Sequence, residues 1–129
     1  MAEGIEFELL AERFAVVKLP TGAEVPVAPS AATFWSLTVT AGEISLICAE
    51  ENVPTNPDCQ IERMWRCLKV AGPMEFELKG ILLSLLEPLA GASVSVLAMS
   101  TYDTDFVFVK ERALERALAA LTEAGHRLM

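Results

Sequence analysis

The chain has 129 residues, 53% of them hydrophobic, which is material for a packed core in one medium domain or two very small ones. Its 18 acidic and 10 basic residues give a net charge of -8, a field that repels phosphate backbones and anionic lipid heads and argues against nucleic-acid and membrane partners. No stretch approaches the roughly 18 consecutive apolar residues of a membrane span, and the N-terminal MAEGIEFELLAERF carries acids where a secretion signal carries a basic region, so a cytoplasmic location is expected.

Arg13 to Leu19 reads as a strand. The following stretch contains Pro20, Pro26 and Pro29 and has room for at most a short helix. Trp35 to Cys48 reads as a hairpin with Ala41-Gly42 at its turn, and Glu50 to Gln60, with Pro54 and Pro57, as a linker. A short strand, Trp65 to Val70, ends at Gly72-Pro73. Leu78, Ile81, Leu82, Leu85, Leu86 and Leu89 then follow helical spacing until Pro88 and Gly91. Val94 to Met99 and Phe106 to Val109 are close enough to pair as a hairpin; Glu111 to Ala124 is a second helix stopped by Gly125, and His126 to Met129 is a stub of strand.

From Trp65 onward this is the ferredoxin-like βαββαβ order, an antiparallel sheet with two helices on one face. The first half resembles a reduced copy, because Thr40 to Ile47 lies over Tyr102 to Val109 at an offset of about 62 positions. The expected fold class is therefore α+β, two ferredoxin-like modules with the first reduced, divided as 1-60 and 61-129. Short strands leave sheet edges to be covered, so a homodimer is expected.

Chemistry is sparse. Cys48, Cys59 and Cys67 are odd in number, lack CxxC spacing and have only His126 beside them, so free thiols are expected and no metal site. No phosphate-cradling glycine loop or nucleophile elbow is present. The residues that ask a question are Ser100 to Asp105, STYDTD. Asp103 and Asp105 could serve as acid and base but lack a neighbour to split their pKa values. Asp and Thr also favour turns for their own sake. The third reading is a ligand site: backbone N-H groups at a helix start after Gly72-Pro73 receive a carboxylate, and Asp105 accepts an ammonium group. Gly80, inside the helical pattern, asks for a packing or ligand-approach reason.

Gly72 to Leu121 carries a resemblance, most specific at Gly80-Ile81-Leu82 and at Ser100 to Asp105. It is similar to an ACT domain of the small tandem-ACT group, bacterial as a rule, related to the ACT modules of aspartate kinases and of the cytosolic arginine sensor. The resemblance implies a regulatory or sensory protein, not an enzyme, that binds a small ligand, an amino acid, at a seam between ACT modules; the alternative is an interaction module without a ligand. It implies Ile81 and Leu82 beside Gly80, and Thr101, Tyr102 and Asp105 at the hairpin tip, as ligand-binding residues, with Gly72 at the helix start. Leu78 stands near the place where the sensor has an acidic residue. No cofactor and no catalytic residue are implied.

Overall fold

The computed structural model describes residues 4-71 and 80-129. The chain forms two compact units, one made of Met1–Ala11 with Trp65–Met129 and the other of Glu12–Met64. This partition differs from a cut at residue 60, because the opening residues group with the C-terminal half.

The strands are β1 (Glu6–Leu19), β2 (Trp35–Val39), β3 (Ile44–Ala49), β4 (Gln60–Val70), β5 (Val96–Ser100), β6 (Asp105–Lys110) and β7 (Arg127–Leu128), and the helices are α1 (Ile81–Gly91) and α2 (Leu114–Glu123). Two strands are longer than expected. β1 begins at Glu6 because Ile5, Phe7 and Leu9 alternate with Glu6 and Glu8, a half-buried strand pattern in which Phe7 is fully buried. β4 begins at Gln60, and its Met64 takes a left-handed φ of 68°, with its N-H donating to the Glu50 carboxylate at 2.8 Å.

The larger unit is the ferredoxin-like βαββαβ arrangement with one departure. β4, β6 and β5 lie side by side and antiparallel, while β7 pairs in parallel with the start of β1 and β1 lies between β7 and β4. Leu68, Val70, Val107 and Val109 share the face that meets Leu85 and Leu89 of α1 and Ala117 and Leu121 of α2. Phe7, from β1, sits in that same core.

The smaller unit is built of the second half of β1 with β3 and β2, all antiparallel. Its core gathers Ala15, Val17, Leu19, Leu46 and Cys48, with Trp35 and Ile61 packed against them. The other side of β1 carries Phe14, edge-on to Phe34 at 6.2 Å. No α-helix occurs between Glu12 and Met64; only a 3-10 turn, Glu50–Asn52, follows β3. Its counterpart after β6 is the 3-10 turn Glu111–Ala113, which leads into α2. The two hairpins and their 3-10 turns begin at Trp35 and Val96, Ile44 and Asp105, and Glu50 and Glu111, a constant offset of 61 where the sequence comparison suggests 62.

α1 contains Pro88, which has no N-H, so the Ser84 carbonyl one turn earlier has no intrahelical donor. His126 supplies one. Its Nε2 donates to the Ser84 oxygen at 2.9 Å, and its Nδ1 accepts the Ile5 N-H at 3.0 Å, which fixes the neutral Nε2-H tautomer. Gly125, at φ 97°, lets the chain leave α2 in the left-handed turn that closes with the His126 N-H on the Leu121 carbonyl at 3.0 Å.

The three cysteines are free, Cys48 and Cys67 buried. Burial pushes the Cys48 thiol up from 9.0 to about 11, opposed by the Arg63 guanidinium.

Two outcomes follow from this packing. His126→Ala strands a helix carbonyl and a strand N-H, and should lower stability by about 2-4 kcal/mol in urea unfolding. Adding Pro88→Ala restores an N-H for Ser84 and should recover about 1 kcal/mol of that loss. The raised thiol pKa of Cys48 gives stability that is whole below pH 9 and is lost as pH climbs toward 11, because the unfolded chain ionises first. The loss is on the order of 2 kcal/mol. Unfolding midpoints from pH 8 to 11 should show a decline that is shallower in Cys48→Ala.

Candidate functional site

β5 and β6 are joined by Thr101 to Thr104, a loop that closes on itself. The Thr101 N-H donates to the Thr104 carbonyl at 2.8 Å, and the Thr101 hydroxyl donates to the same oxygen at 3.1 Å. The β2-β3 loop closes identically at Thr40 to Glu43, with the Thr40 N-H on the Glu43 carbonyl at 2.9 Å and its hydroxyl accepting the Gly42 and Glu43 N-H groups. The comparison separates what the turn needs from what it does not. At the base of the first loop the paired residues are Val39 and Ile44; at the base of the second they are Ser100 and Asp105. The turn geometry therefore forms without a polar pair beneath it.

Asp105 is only 6% exposed, and its Oδ1 accepts the Ser100 hydroxyl at 2.5 Å. It alternates with Val107 and Val109, which places its side chain on the helix-covered face of the sheet. Thr104, 4% exposed, donates its hydroxyl to the Val70 carbonyl at 2.8 Å and ties the loop to the end of β4. Thr101, Tyr102 and Asp103 are exposed, Tyr102 at 82%. The DxD carboxylates thus part company, one outside and one inside. Lys69, on the opposite sheet face at this same end, holds its ammonium 5.8 Å from the centre of the Phe106 ring.

Gly80 precedes the first helical residue instead of lying within the helix. Its φ of 78° is the left-handed conformation that favours glycine, and a Cβ there would meet open space, so backbone conformation and not close packing requires the glycine. The helix begins at Ile81, and the Ser84 N-H to the Gly80 carbonyl, 2.8 Å, is its first bond. The N-H groups of Ile81, Leu82 and Leu83 have no acceptor within the helix. Ile81 and Leu82 are half-buried against the core, and Leu83 is exposed. Gly72 and Leu78 lie outside the described residues.

A chain of bonds places the helix start and the hairpin tip at one end of the larger unit. Thr104 reaches Val70; the next residue, Ala71, donates its N-H to the Glu6 carbonyl at 2.9 Å; Ile5 meets His126; and His126 meets Ser84 in the first turn of α1. Gly80, Ile81, Leu82, Thr101, Tyr102 and Asp105 therefore share that end. Sequence reasoning missed Ser100, Thr104 and His126 as its fixed parts. The available signal was phase: Ser100 and Asp105 stand at positions that alternation assigns to an apolar face. An open concavity of about 530 Å³ lies away from this end, between the last turns of α1 and α2, lined by Pro88, Gly91, Ala92, Ala120, Glu123 and Ala124. Among the described residues no group of three or more His, Cys, Asp or Glu side chains could hold a metal, and no helix is long and apolar enough to cross a membrane.

The family model of the ACT domain matches residues 60-123. The chain is an ACT-domain protein. This ACT protein is 34% identical over 97 residues to the cytosolic arginine sensor for mTORC1 subunit 1 of Bos taurus, a match covering 68% of this chain and 30% of that protein. It thus spans about three tenths of the length of the curated relatives it matches. Among solved structures it is similar to protein Atu0741 from Agobacterium tumefaciens, with TM-score 0.88 and 30% identity over 99% of this chain and 94% of that one. It shares its fold with aspartate kinase from Synechocystis, at TM-score 0.66 and 17% identity over 98% of this chain and 27% of that one.

Because Gly80 is held by its φ, Gly80→Ala should cost about 1 kcal/mol although it collides with nothing, and Gly80→Asn less. Chemical denaturation of the two variants checks the order.

Proposed function

We propose that the protein binds a free amino acid and regulates or senses, without catalysing a reaction. The carrying observation is the buried Asp105, bonded to the exposed Ser100 under a turn that does not need that pair, at the same end and on the same sheet face as the open first turn of α1. The two features complement the two ends of a zwitterion: helix N-H groups donate to the carboxylate, and Asp105 accepts from the ammonium group. Ile81 and Leu82 flank the ligand backbone, Thr101 and Tyr102 cover it, and Gly72 belongs to the approach to the helix. The likeness to a protein named as an arginine sensor supports an amino acid as the ligand class. The two DxD carboxylates do not face one point, Asp103 being exposed and Asp105 buried, which supports a binding role over a paired acid-base one.

In this reading the chain carries two ACT-type modules, a reduced one up to residue 60 and a full one from residue 61. The constant offset of 61 between their hairpins supports it. The ligand lies at a seam between ACT modules, and the chain acts in the cytoplasm as a homodimer. A second reading, an interaction module without a ligand, is favoured by one fact: the Ser100 hydroxyl already occupies one Asp105 oxygen.

A thermal-shift screen of the common amino acids separates the two, because a ligand at a hundredfold excess over Kd stabilises by about 2.7 kcal/mol. Asp105→Asn keeps an acceptor for Ser100 but loses the charge, and should weaken binding of the best hit more than tenfold in calorimetric titration, a cost of about 1.5-3 kcal/mol. Ser100→Ala serves as the control for turn stability. Equal dissociation constants for wild type and Asp105→Asn would refute the assignment.

A further inference from the structure

The connection from β1 to β2, residues 20-34, holds neither helix nor strand, whereas the corresponding connection of the larger unit holds α1. Irregular connections of this length are uncommon in compact domains and tend to be functional. Two turns pin its ends: the Ala23 N-H donates to the Pro20 carbonyl at 3.0 Å, and the Ala32 N-H to the Pro29 carbonyl at 3.1 Å. Between those turns, Glu24, Val25, Val27 and Ala28 donate to no backbone carbonyl among the described residues. None of residues 24-29, between the two turns, has a positive φ, which is compatible with a left-handed polyproline helix.

Its sequence, Val25-Pro26-Val27-Ala28-Pro29, is apolar-Pro-x-apolar-Pro. At three residues per turn Pro26 and Pro29 fall on one ridge and Val25 and Ala28 on the next, which presents two apolar-proline pairs side by side. Apart from the half-buried Pro26, residues 24-29 are exposed. Val25 is 46% exposed and Val27 88%, the most exposed of the large apolar side chains described. A solvated apolar strand with little entropy left to lose is a ligand for an aromatic-lined groove, where each apolar-proline pair fills one slot.

We propose that residues 24-29 are a docking strand for a partner domain whose aromatic-lined groove reads polyproline helices. Charge specifies the flank of that groove. Glu24 abuts the strand on a chain of net charge -8, so the groove is bordered by lysine or arginine.

The test uses the full chain and isotope-labelled SH3-type domains, one set with basic and one with acidic residues bordering the aromatic groove. Wild-type chain is expected to give saturable NMR shifts confined to the groove of the basic set. The double variant Pro26→Ala, Pro29→Ala, compared with wild type at a temperature where both melts show folded protein because Pro26 is half-buried, is expected to raise Kd at least tenfold. The proposal is overturned if no basic-flanked domain gives saturable shifts, if the double variant binds as wild type does, or if the acidic set binds as tightly as the basic one.

Discussion

A proline inside α1 sets the terms on which the larger unit holds together. Pro88 leaves the Ser84 carbonyl without its helical donor, and a part-buried carbonyl without a partner costs more than a hydrogen bond is worth when made. The imidazole of His126 meets that demand and at its other nitrogen takes up the Ile5 N-H. One ring therefore fastens the first helix to the opening strand, 121 positions away in sequence. Its own position follows from the glycine turn that ends α2. The ring thus adds a polar tie beside Gly80, Ile81 and Leu82 to the packing of Leu85 and Leu89 on the sheet.

The two hairpins form a natural comparison inside one molecule. Both loops are closed by a threonine that bonds across four residues, and both lead into a strand and then a 3-10 turn. They differ in what lies beneath: an apolar Val39-Ile44 pair in one and Ser100-Asp105 in the other. Burying a carboxylate is unfavourable without compensation. The turn gives no reason for that cost, and the ligand role proposed for Asp105 would supply one.

Much of the larger unit was legible in the sequence, because Leu82, Leu85, Leu86 and Leu89 repeat at helical spacing and Gly125 marks the end of α2. The second half of β1 was legible too, but its opening was not, since Glu6 and Glu8 read as charged surface although Phe7 is fully buried. Gly80 was misplaced within the helix because spacing alone does not reveal a left-handed cap. Asp105 stood out by residue type. Ser100, Thr104 and His126 did not, because their value comes from partners such as Val70, Ile5 and Ser84 that sequence distance hides. The offset between the hairpins was off by one since similarity of residues is a weaker guide than strand register.

The larger unit is discontinuous along the chain: residues up to Ala11 join it across the whole of Glu12–Met64. During synthesis the first strand emerges long before β4 and β7, the neighbours it lies between. The smaller unit can pair its hairpin from nearby residues, but closing the larger one means a loop of more than a hundred residues, and contacts of such separation form slowly. The core around Phe7 is therefore complete only when residues separated by more than a hundred positions, Phe7 and Leu121, have come together. Until then the alternating Glu6 and Glu8 give the opening of β1 a charged face beside its apolar one.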